Sequence, residues 1–347
     1  MKNKKYWISG IILVIVICLT MYMLFKKFDF AQIASAILNV NPIYIALCIL
    51  MVVLYSFFEG IGLRVVLKTF GTKISYLKGF VYGNVDLYFS LITPSSTGGQ
   101  PVMAYYMAKD SIPVTQSTMA ILLNTLNFKA VLLTLSTLVL IFMPELILGN
   151  GTAVIVLFFT GYGMQILMGT LCIMAMFAQN ILRKISFAII RFLGKIRIIK
   201  DSEKTIVSFG KSLDDYAQCA EFVKGSRLIV PKVYLANFIQ RIFLFTIGYL
   251  VYISFGQSTL NYFEVVGIQA AIAMAANFLP IPGAAGVTEV VFMLLYSSIY
   301  PEQTLLGSAL ILTRIFDYYF SLLMSGGVSL ANHLVVTKRK KKEGSVQ

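Results

Sequence analysis

The stretch from Asn277 to Glu289 most constrains the fold, because it places two prolines, two glycines and a carboxylate inside an otherwise apolar run. The apolar parts on either side are Phe263 to Leu279 and Val290 to Tyr300. Each is shorter than the about 20 helical residues that are needed to cross about 30 Å of hydrocarbon. Non-helical backbone at that depth persists only where protein or a water-filled cavity satisfies its amides. The stretch therefore predicts a broken helical hairpin that enters the membrane and returns, with a binding site at its break.

A second stretch of the same kind runs from Ile92 to Pro101 and reads Ile-Thr-Pro-Ser-Ser-Thr-Gly-Gly-Gln-Pro. The apolar segments that flank it, Phe80 to Ile92 and Val102 to Ala108, are also too short to span. The sequence therefore predicts two broken hairpins.

The composition indicates an integral membrane protein. Hydrophobic residues make up 58% of the 347 residues and charged residues 13%, against roughly 25% charged residues in a soluble globular domain. Six apolar segments are long enough to span: Trp7 to Phe25, Pro42 to Leu63, Thr118 to Met143, Thr152 to Ala178, Val233 to Phe255 and Leu305 to Val335. The predicted fold is an all-α, polytopic membrane helix bundle. It has about six spans and two re-entrant hairpins in one domain over residues 1–347.

Basic residues predict the orientation of the chain. Three lysines precede the first span, and the run Lys338 to Lys342 follows the last. The positive-inside bias places both termini in the cytoplasm, with the loop 179–232 and the tail 336–347. The formal net charge of +14 follows from this bias without a nucleic-acid partner. The first part of the loop is either an interfacial amphipathic helix or a solvated basic connector.

The order of the elements predicts an inverted repeat. Residues 1–145 and 152–335 would each hold two spans, a broken hairpin and a third span, in opposite orientations. Gly99 and Gly286, which are 187 positions apart, take corresponding places in the two breaks. In transporters with such repeats the two broken elements meet near the midplane and form the substrate site.

Ionisable residues inside the spans and hairpins are candidates for this site, because each costs about 2.5 to 3.5 kcal/mol at mid-membrane on insertion scales. They are Glu59, Asp86, Lys129, Arg241, Glu264, Glu289, Arg314 and Asp317. Arg314 and Asp317 are three positions apart and can pair, which would give Arg314 a purely structural role. Lys129 has no carboxylate within helical reach, so we expect Asp86, Glu289 or a bound anion as its partner.

The glycines of the two breaks allow two interpretations. Glycine permits close approach and positive φ, and exposed amides at a helix start bind anions. Four glycines could therefore hold a phosphate between cations, or could simply reverse the chain. The predicted substrate-binding residues are Gly98, Gly99, Gln100, Pro280, Pro282, Gly283 and Gly286 in the breaks, and Asp86, Lys129, Arg241, Glu289, Arg314 and Asp317.

The sequence does not favour catalysis by the usual constellations. It contains one histidine, His333, so no Ser-His-Asp or Cys-His arrangement can be assembled. The four cysteines lack metal or disulfide spacing, and no phosphate-binding loop motif occurs. We therefore expect no catalytic residue, no metal site and no cofactor.

The two breaks carry a resemblance to a known family. Ile92 to Pro101 and Leu279 to Glu289, with Arg314 in the last span, resemble the transmembrane region of the lysylphosphatidylglycerol synthase family over nearly the whole chain. The resemblance implies a flippase-like domain that moves aminoacylated phosphatidylglycerol between leaflets of the bacterial cell membrane and protects against cationic peptides. Many members have an acidic residue and an arginine after the first glycine pair, where this chain has Gln100 and Tyr105-Tyr106.

Full-length synthases of that family also carry a soluble transferase domain that uses lysyl-tRNA. Because the chain stops at Gln347, that domain is expected to be absent. The leading hypothesis is therefore translocation of a phospholipid such as lysylphosphatidylglycerol, whose headgroup is balanced by Lys129, Arg241 and Arg314. The expected partners are this anionic or aminoacylated phospholipid, the membrane and a separate synthase.

Two alternatives stay open. One is a phosphatidylglycerol lysyltransferase, an aminoacyltransferase that would take lysyl-tRNA as its nucleic-acid partner. The other is a carrier of other lipid-linked or small anionic solutes.

Overall fold

The computed structural model describes residues 30–344 except 94, 95, 97, 179–180, 182, 185–186, 189, 192–201, 280 and 301. The predicted first span, Trp7 to Phe25, therefore lies outside the described residues, as does the site candidate Pro280. All regular secondary structure in the described part of the chain is helical.

The described part of the chain contains the following helices. In chain order they are α1 (Phe30–Leu38), α2 (Pro42–Thr69), α3 (Tyr76–Ile92), α4 (Gly99–Lys109), α5 (Val114–Phe142), α6 (Pro144–Leu148), α7 (Thr152–Phe177), α8 (Ser202–Gly225), α9 (Ile229–Ser254), α10 (Tyr262–Ala276), α11 (Val287–Tyr296), α12 (Gln303–Arg314) and α13 (Ser321–Gly344). A 3-10 turn, Pro282–Ala284, precedes α11, and a π-helical turn, Ile315–Phe320, joins α12 to α13.

Five helical stretches of the described chain are long and apolar enough to cross a membrane: Pro42–Thr69, Val114–Phe142, Thr152–Met174, Ile229–Ser254 and Gln303–Lys338. They confirm the second to sixth predicted spans. Large apolar side chains on these helices face outward, such as Ile141 at 63% exposure and Leu323 at 74%. Such surfaces are unfavourable in water and favourable against lipid chains. The chain is therefore an all-α, multi-pass membrane protein.

Both predicted hairpins are present as pairs of short helices. α3 has 17 residues, α4 has 11, α10 has 15 and α11 has 10. At 1.5 Å per residue, these helices are about 15 to 26 Å long. Because a hydrocarbon core is about 30 Å thick, none of the four crosses it alone.

Polar caps begin the first helix of each hairpin. Ser75 Oγ accepts a hydrogen bond from the Lys78 amide at 3.1 Å at the start of α3. At the start of α10, Asn261 Oδ1 accepts from the Glu264 amide at 3.1 Å, and Glu264 Oε2 accepts from the Asn261 amide at 2.7 Å. This reciprocal capping box satisfies two amides that have no partner within the helix. Glu264 is thus a capping residue, and the expectation that it is an interior charge is wrong.

The two hairpins contact each other. Helix α3 of the first hairpin packs against the turn Pro282–Ala284 of the second hairpin and against α13. The contact with α13 is close, because a Cβ on Gly326 would come 2.9 Å from the ring of Tyr88 on α3. The predicted approach of the two broken elements is confirmed by these contacts, while the repeat boundaries 1–145 and 152–335 stay predictions.

Helix α2 packs against α3, α5 and α9. Its crossing with α3 is very close, since a Cβ on Gly60 would lie 2.3 Å from the carbonyl carbon of Gly79. No other residue type fits at that distance. The crossing holds Glu59, the neighbour of Gly60, between α3, α5 and α9.

Candidate functional site

Four predicted site residues meet in one group, which we name the Arg314 cluster: Arg314, Glu289, Asp317 and Gly283. Arg314 Nε donates to Glu289 Oε1 at 2.8 Å, and Arg314 Nη2 donates to the Gly283 carbonyl oxygen at 3.1 Å. Asp317 Oδ1 lies 3.6 Å from Arg314 Nη1. The predicted pair of Arg314 with Asp317 exists, but the shorter ion pair is with Glu289. Glu289 is 25 positions away, so helical spacing cannot reveal it.

The second break and the π-helical turn position the residues of the Arg314 cluster. The turn Ile315–Phe320 follows Arg314 directly, and the Tyr318 ring centroid lies 4.9 Å from Arg314 Cζ. Gly283 has a φ of +59°, and a Cβ there would come 2.0 Å from the Tyr318 ring. Glycine is therefore required at this position by conformation and by space. Pro282 is buried beside it and supplies no amide donor.

Gly286 is the N-cap residue directly before α11 and has a φ of +89°. Its amide donates to Glu289 Oε2 at 2.6 Å, so one carboxylate receives both this amide and the Arg314 guanidinium. A negative group at a helix start is favourable. The anion that the sequence predicts at this helix start is thus supplied by Glu289 itself.

The first residues of α4 pack against α3 and against Thr93, which follows α3. The Gly98 amide donates to Thr93 Oγ1 at 2.9 Å. A Cβ on Gly99 would lie 2.3 Å from both the carbonyl oxygen and Oδ1 of Asp86. These contacts support a close-approach role for both glycines, and they bring the start of α4 onto Asp86.

Two further candidates bond to uncharged groups. Gln100 Nε2 donates to Thr125 Oγ1 on α5 at 2.9 Å. Lys129 Nζ donates to Gln165 Oε1 on α7 at 3.3 Å. Among the described residues, neither of the two carboxylates expected as partners forms an ion pair with Lys129. Of the three partners expected for this lysine, neither carboxylate pairs with it in the described chain, and the bound anion stays a prediction.

A second polar group, which we name the Glu59 cluster, joins α2, α5 and α9 and consists of Glu59, Asn124, Asn237 and Gln240. Glu59 Oε1 accepts from Asn124 Nδ2 at 2.6 Å, and Glu59 Oε2 accepts from Gln240 Nε2 at 2.5 Å. Asn237 Nδ2 donates to Asn124 Oδ1 at 2.9 Å. Short hydrogen bonds to a charged acceptor are stronger than neutral ones. The cluster therefore ties three helices of the bundle together.

Arg241 follows Gln240 on α9 and is only 3% exposed. Its Cζ lies 3.5 Å from the centroid of the Phe128 ring, yet its Nε and Nη2 atoms have no hydrogen-bond partner. Arg241 interacts electrostatically with Glu59 and with Lys129. Buried charges are normally paired and hydrogen-bonded. A buried guanidinium with two unused donors beside a second cation is suited to binding an anion.

Selecting only charged residues from the spans misses the amide side chains of the Glu59 cluster. Asn124, Asn237 and Gln240 are all buried in predicted spans. An amide side chain within an apolar span needs a partner on another helix, as a charged group does. A search of the spans for asparagine and glutamine would therefore have found them.

The chain is similar in sequence to known membrane proteins. A profile of the family described as "Lysylphosphatidylglycerol synthase TM region" matches residues 7–325. The UPF0104 membrane protein of Archaeoglobus fulgidus is 21% identical over 319 residues, which cover 88% of this chain and 90% of that protein. The inner membrane protein YbhN of Escherichia coli is 30% identical over 106 residues, which cover 30% of this chain. That second match spans 33% of YbhN.

Proposed function

The chain belongs to the lysylphosphatidylglycerol synthase TM region family, and we propose that it moves a phospholipid such as lysylphosphatidylglycerol between the leaflets of the bacterial cell membrane. Translocation changes the position of the headgroup and breaks no covalent bond, so it needs no catalytic residue or cofactor. Both termini and the loop 179–232 lie on the cytoplasmic side in this proposal.

The observation that carries this proposal is the buried Arg241 guanidinium with its two unpartnered nitrogens. A guanidinium offers planar donors that suit the oxygens of a phosphate group. Lys129 follows Phe128, on which Arg241 stacks, and adds a second positive charge. A headgroup phosphate at this position would accept charge-assisted hydrogen bonds from both side chains and would offset their mutual repulsion.

Arg314 has a different role in this proposal. Its charge is met by Glu289 at 2.8 Å and by Asp317 at 3.6 Å. Since this side chain has its counter-charges within the protein, we assign the Arg314 cluster to holding the second break against the π-helical turn. Arg241 and Lys129 are then the phosphate-binding pair.

Lipid movement by purified protein tests the proposal. The protein is reconstituted in vesicles of phosphatidylcholine and phosphatidylglycerol that contain a trace of tail-labelled fluorescent phosphatidylglycerol. Wild-type protein should expose the inner-leaflet label to an impermeant quencher. Arg241→Lys should lose much of this activity because lysine lacks the planar fork, and Lys129→Gln should lose part of it. The exposed Arg227 provides the matched control, so Arg227→Lys should behave as wild type.

Two outcomes would contradict the assignment of Arg241. Folded Arg241→Lys and Arg241→Gln variants that move lipid at the wild-type rate would remove this residue from the site. Absence of movement by wild-type protein would remove phosphatidylglycerol as a substrate.

The same purified protein separates the two rival functions. A phosphatidylglycerol lysyltransferase would form lysylphosphatidylglycerol from lysyl-tRNA and phosphatidylglycerol. A carrier of small anions would take inorganic phosphate into vesicles. Formation of lysylphosphatidylglycerol without lipid movement would overturn the translocation proposal in favour of the transferase. Uptake of phosphate without lipid movement would overturn it in favour of the anion carrier.

A further inference from the structure

Asp86, on α3 of the first hairpin, is a half-buried residue, and one oxygen of its carboxyl group is buried. Its Oδ1 atom is buried and has no hydrogen-bond partner. A Cβ on Gly99 would come 2.3 Å from this atom, so the start of α4 lies directly over the carboxyl group. Within the described part of the chain, no ion pair neutralises Asp86.

The ionisable groups that face Asp86 come from α2. Glu59 and Tyr55 both interact with it electrostatically. Glu59 adds a like charge, and Tyr55 is neutral. Arg241, on α9, acts on Glu59 and Tyr55. The groups on α2 and α9 therefore leave Asp86 without a counter-charge of its own.

The other elements packed on α3 do not supply one. α4 meets Asp86 through Gly99. The turn Pro282–Ala284 contains no ionisable side chain. On α13, Gly326 lies against Tyr88 and Ser329 donates to the Asn84 carbonyl oxygen of α3, and neither Gly326 nor Ser329 is ionisable. A carboxylate at Asp86 would be an isolated negative charge inside the bundle, which is unfavourable in a membrane.

Acceptor atoms without donors also occur beside Glu59. The Gln240 side chain is 0% exposed and donates to Glu59, while its own Oε1 has no partner. Asn237 is 1% exposed, and its Oδ1 has no partner either. Buried acceptors without donors are costly. These acceptors belong to the network around Glu59, the carboxyl group that interacts electrostatically with Asp86, so this region has fewer donor hydrogens than acceptors.

We propose that Asp86 binds a proton, which it takes from water on one side of the membrane and releases on the other as the lipid crosses. The step forms an O–H bond on the Asp86 carboxyl group and later breaks it, and no electron is transferred. The protonated group carries no charge and gains one donor. This inference rests on the proposed function, because the proton offsets the negative charge of the phosphate in a lipid without amino groups, such as the phosphatidylglycerol used in the vesicle tests.

Infrared spectroscopy of the purified protein tests proton binding without any transport. At neutral pH the wild type should show the C=O band of a protonated carboxyl group, which shifts in deuterated water. Asp86→Asn should lose that band, whereas the matched control Asp214→Asn, at an exposed position, should keep it. Absence of the band from the wild type would overturn the proposal. Retention in Asp86→Asn with loss in Glu59→Gln would place the proton on Glu59 instead.

Vesicles with an imposed pH gradient test whether lipid movement is coupled to proton movement through Asp86. The vesicles contain phosphatidylcholine, phosphatidylglycerol and the tail-labelled lipid, and potassium with valinomycin clamps the membrane potential. Wild-type protein should move the label at different initial rates under the two gradient directions, and Asp86→Asn should lose that difference. Asp214→Asn should retain it.

The possible failures are distinguishable. Equal wild-type rates under both gradient directions would overturn the coupling and leave lipid translocation standing. No movement of the labelled phosphatidylglycerol under either gradient would remove that lipid as a substrate, and the infrared band would still decide whether Asp86 binds a proton.

Discussion

Removing the positive charge of Arg314 measures how much the ion pair with Glu289 contributes to the stability of the second break. In Arg314→Leu, Glu289 and Asp317 lose their counter-charge, and their side chains are only 6% and 22% exposed. Removing one partner of a buried ion pair lowers the free energy of unfolding by about 3 to 5 kcal/mol. Glu289→Leu should cost a similar amount. It leaves Arg314 with Asp317 at 3.6 Å and also removes the acceptor of the Gly286 amide.

The double variant Arg314→Leu with Glu289→Leu should recover part of this loss, because apolar side chains can replace a buried ion pair at little cost. Full recovery is not expected, since the Gly286 amide loses its acceptor and an unsatisfied buried group costs about 1 to 3 kcal/mol. The double-mutant cycle should give a coupling energy of about 1 to 3 kcal/mol. The matched cycle of Arg314 with Asp317 should give less, because that pair is longer and more exposed.

The assay is reversible unfolding in mixed micelles, titrated with sodium dodecyl sulfate and followed by circular dichroism. Lipid movement in vesicles is measured in parallel. A folded double variant should retain lipid movement, since Arg241 and Lys129 form the proposed phosphate-binding pair. Equal coupling energies in the two cycles would refute the reasoning that Glu289 is the main partner of Arg314. A stable double variant without lipid movement would return Arg314 to the phosphate site.

Two further predictions concern the first break and the topology. Gly99→Ala should lower the free energy of unfolding by about 1 to 3 kcal/mol, because the new Cβ would lie 2.3 Å from Asp86. The control Gly327→Ala, which has open space around the new Cβ, should leave the thermal melt unchanged. In a background without native cysteines, Asn150→Cys and Ser258→Cys should react with an impermeant maleimide in intact cells. Lys211→Cys should react only after lysis, and its labelling in intact cells would contradict the inverted repeat.

The spans and the hairpins could be predicted from the sequence because they depend on local chemistry. Apolar segments in lipid must satisfy their amides internally and therefore form helices. Proline and positive-φ glycine positions cannot continue a helix, so α10 ends at Ala276 and α11 begins at Val287, near the predicted break. The capping role of Glu264 was not predicted, because hydropathy alone does not locate the first residue of a helix.

The partners of the buried charges were decided by the tertiary structure. Helical spacing relates residues three or four positions apart, and it correctly joins Arg314 to Asp317. It cannot find Glu289, which lies on another helix, or the stacking of Arg241 on Phe128 between α9 and α5. Such contacts depend on how helices cross and rotate, and no single segment's periodicity contains that information. The sequence by itself determined which groups need partners in a membrane. Helix packing determined that Glu289 neutralises Arg314, while two guanidinium nitrogens of Arg241 have no hydrogen-bond partner.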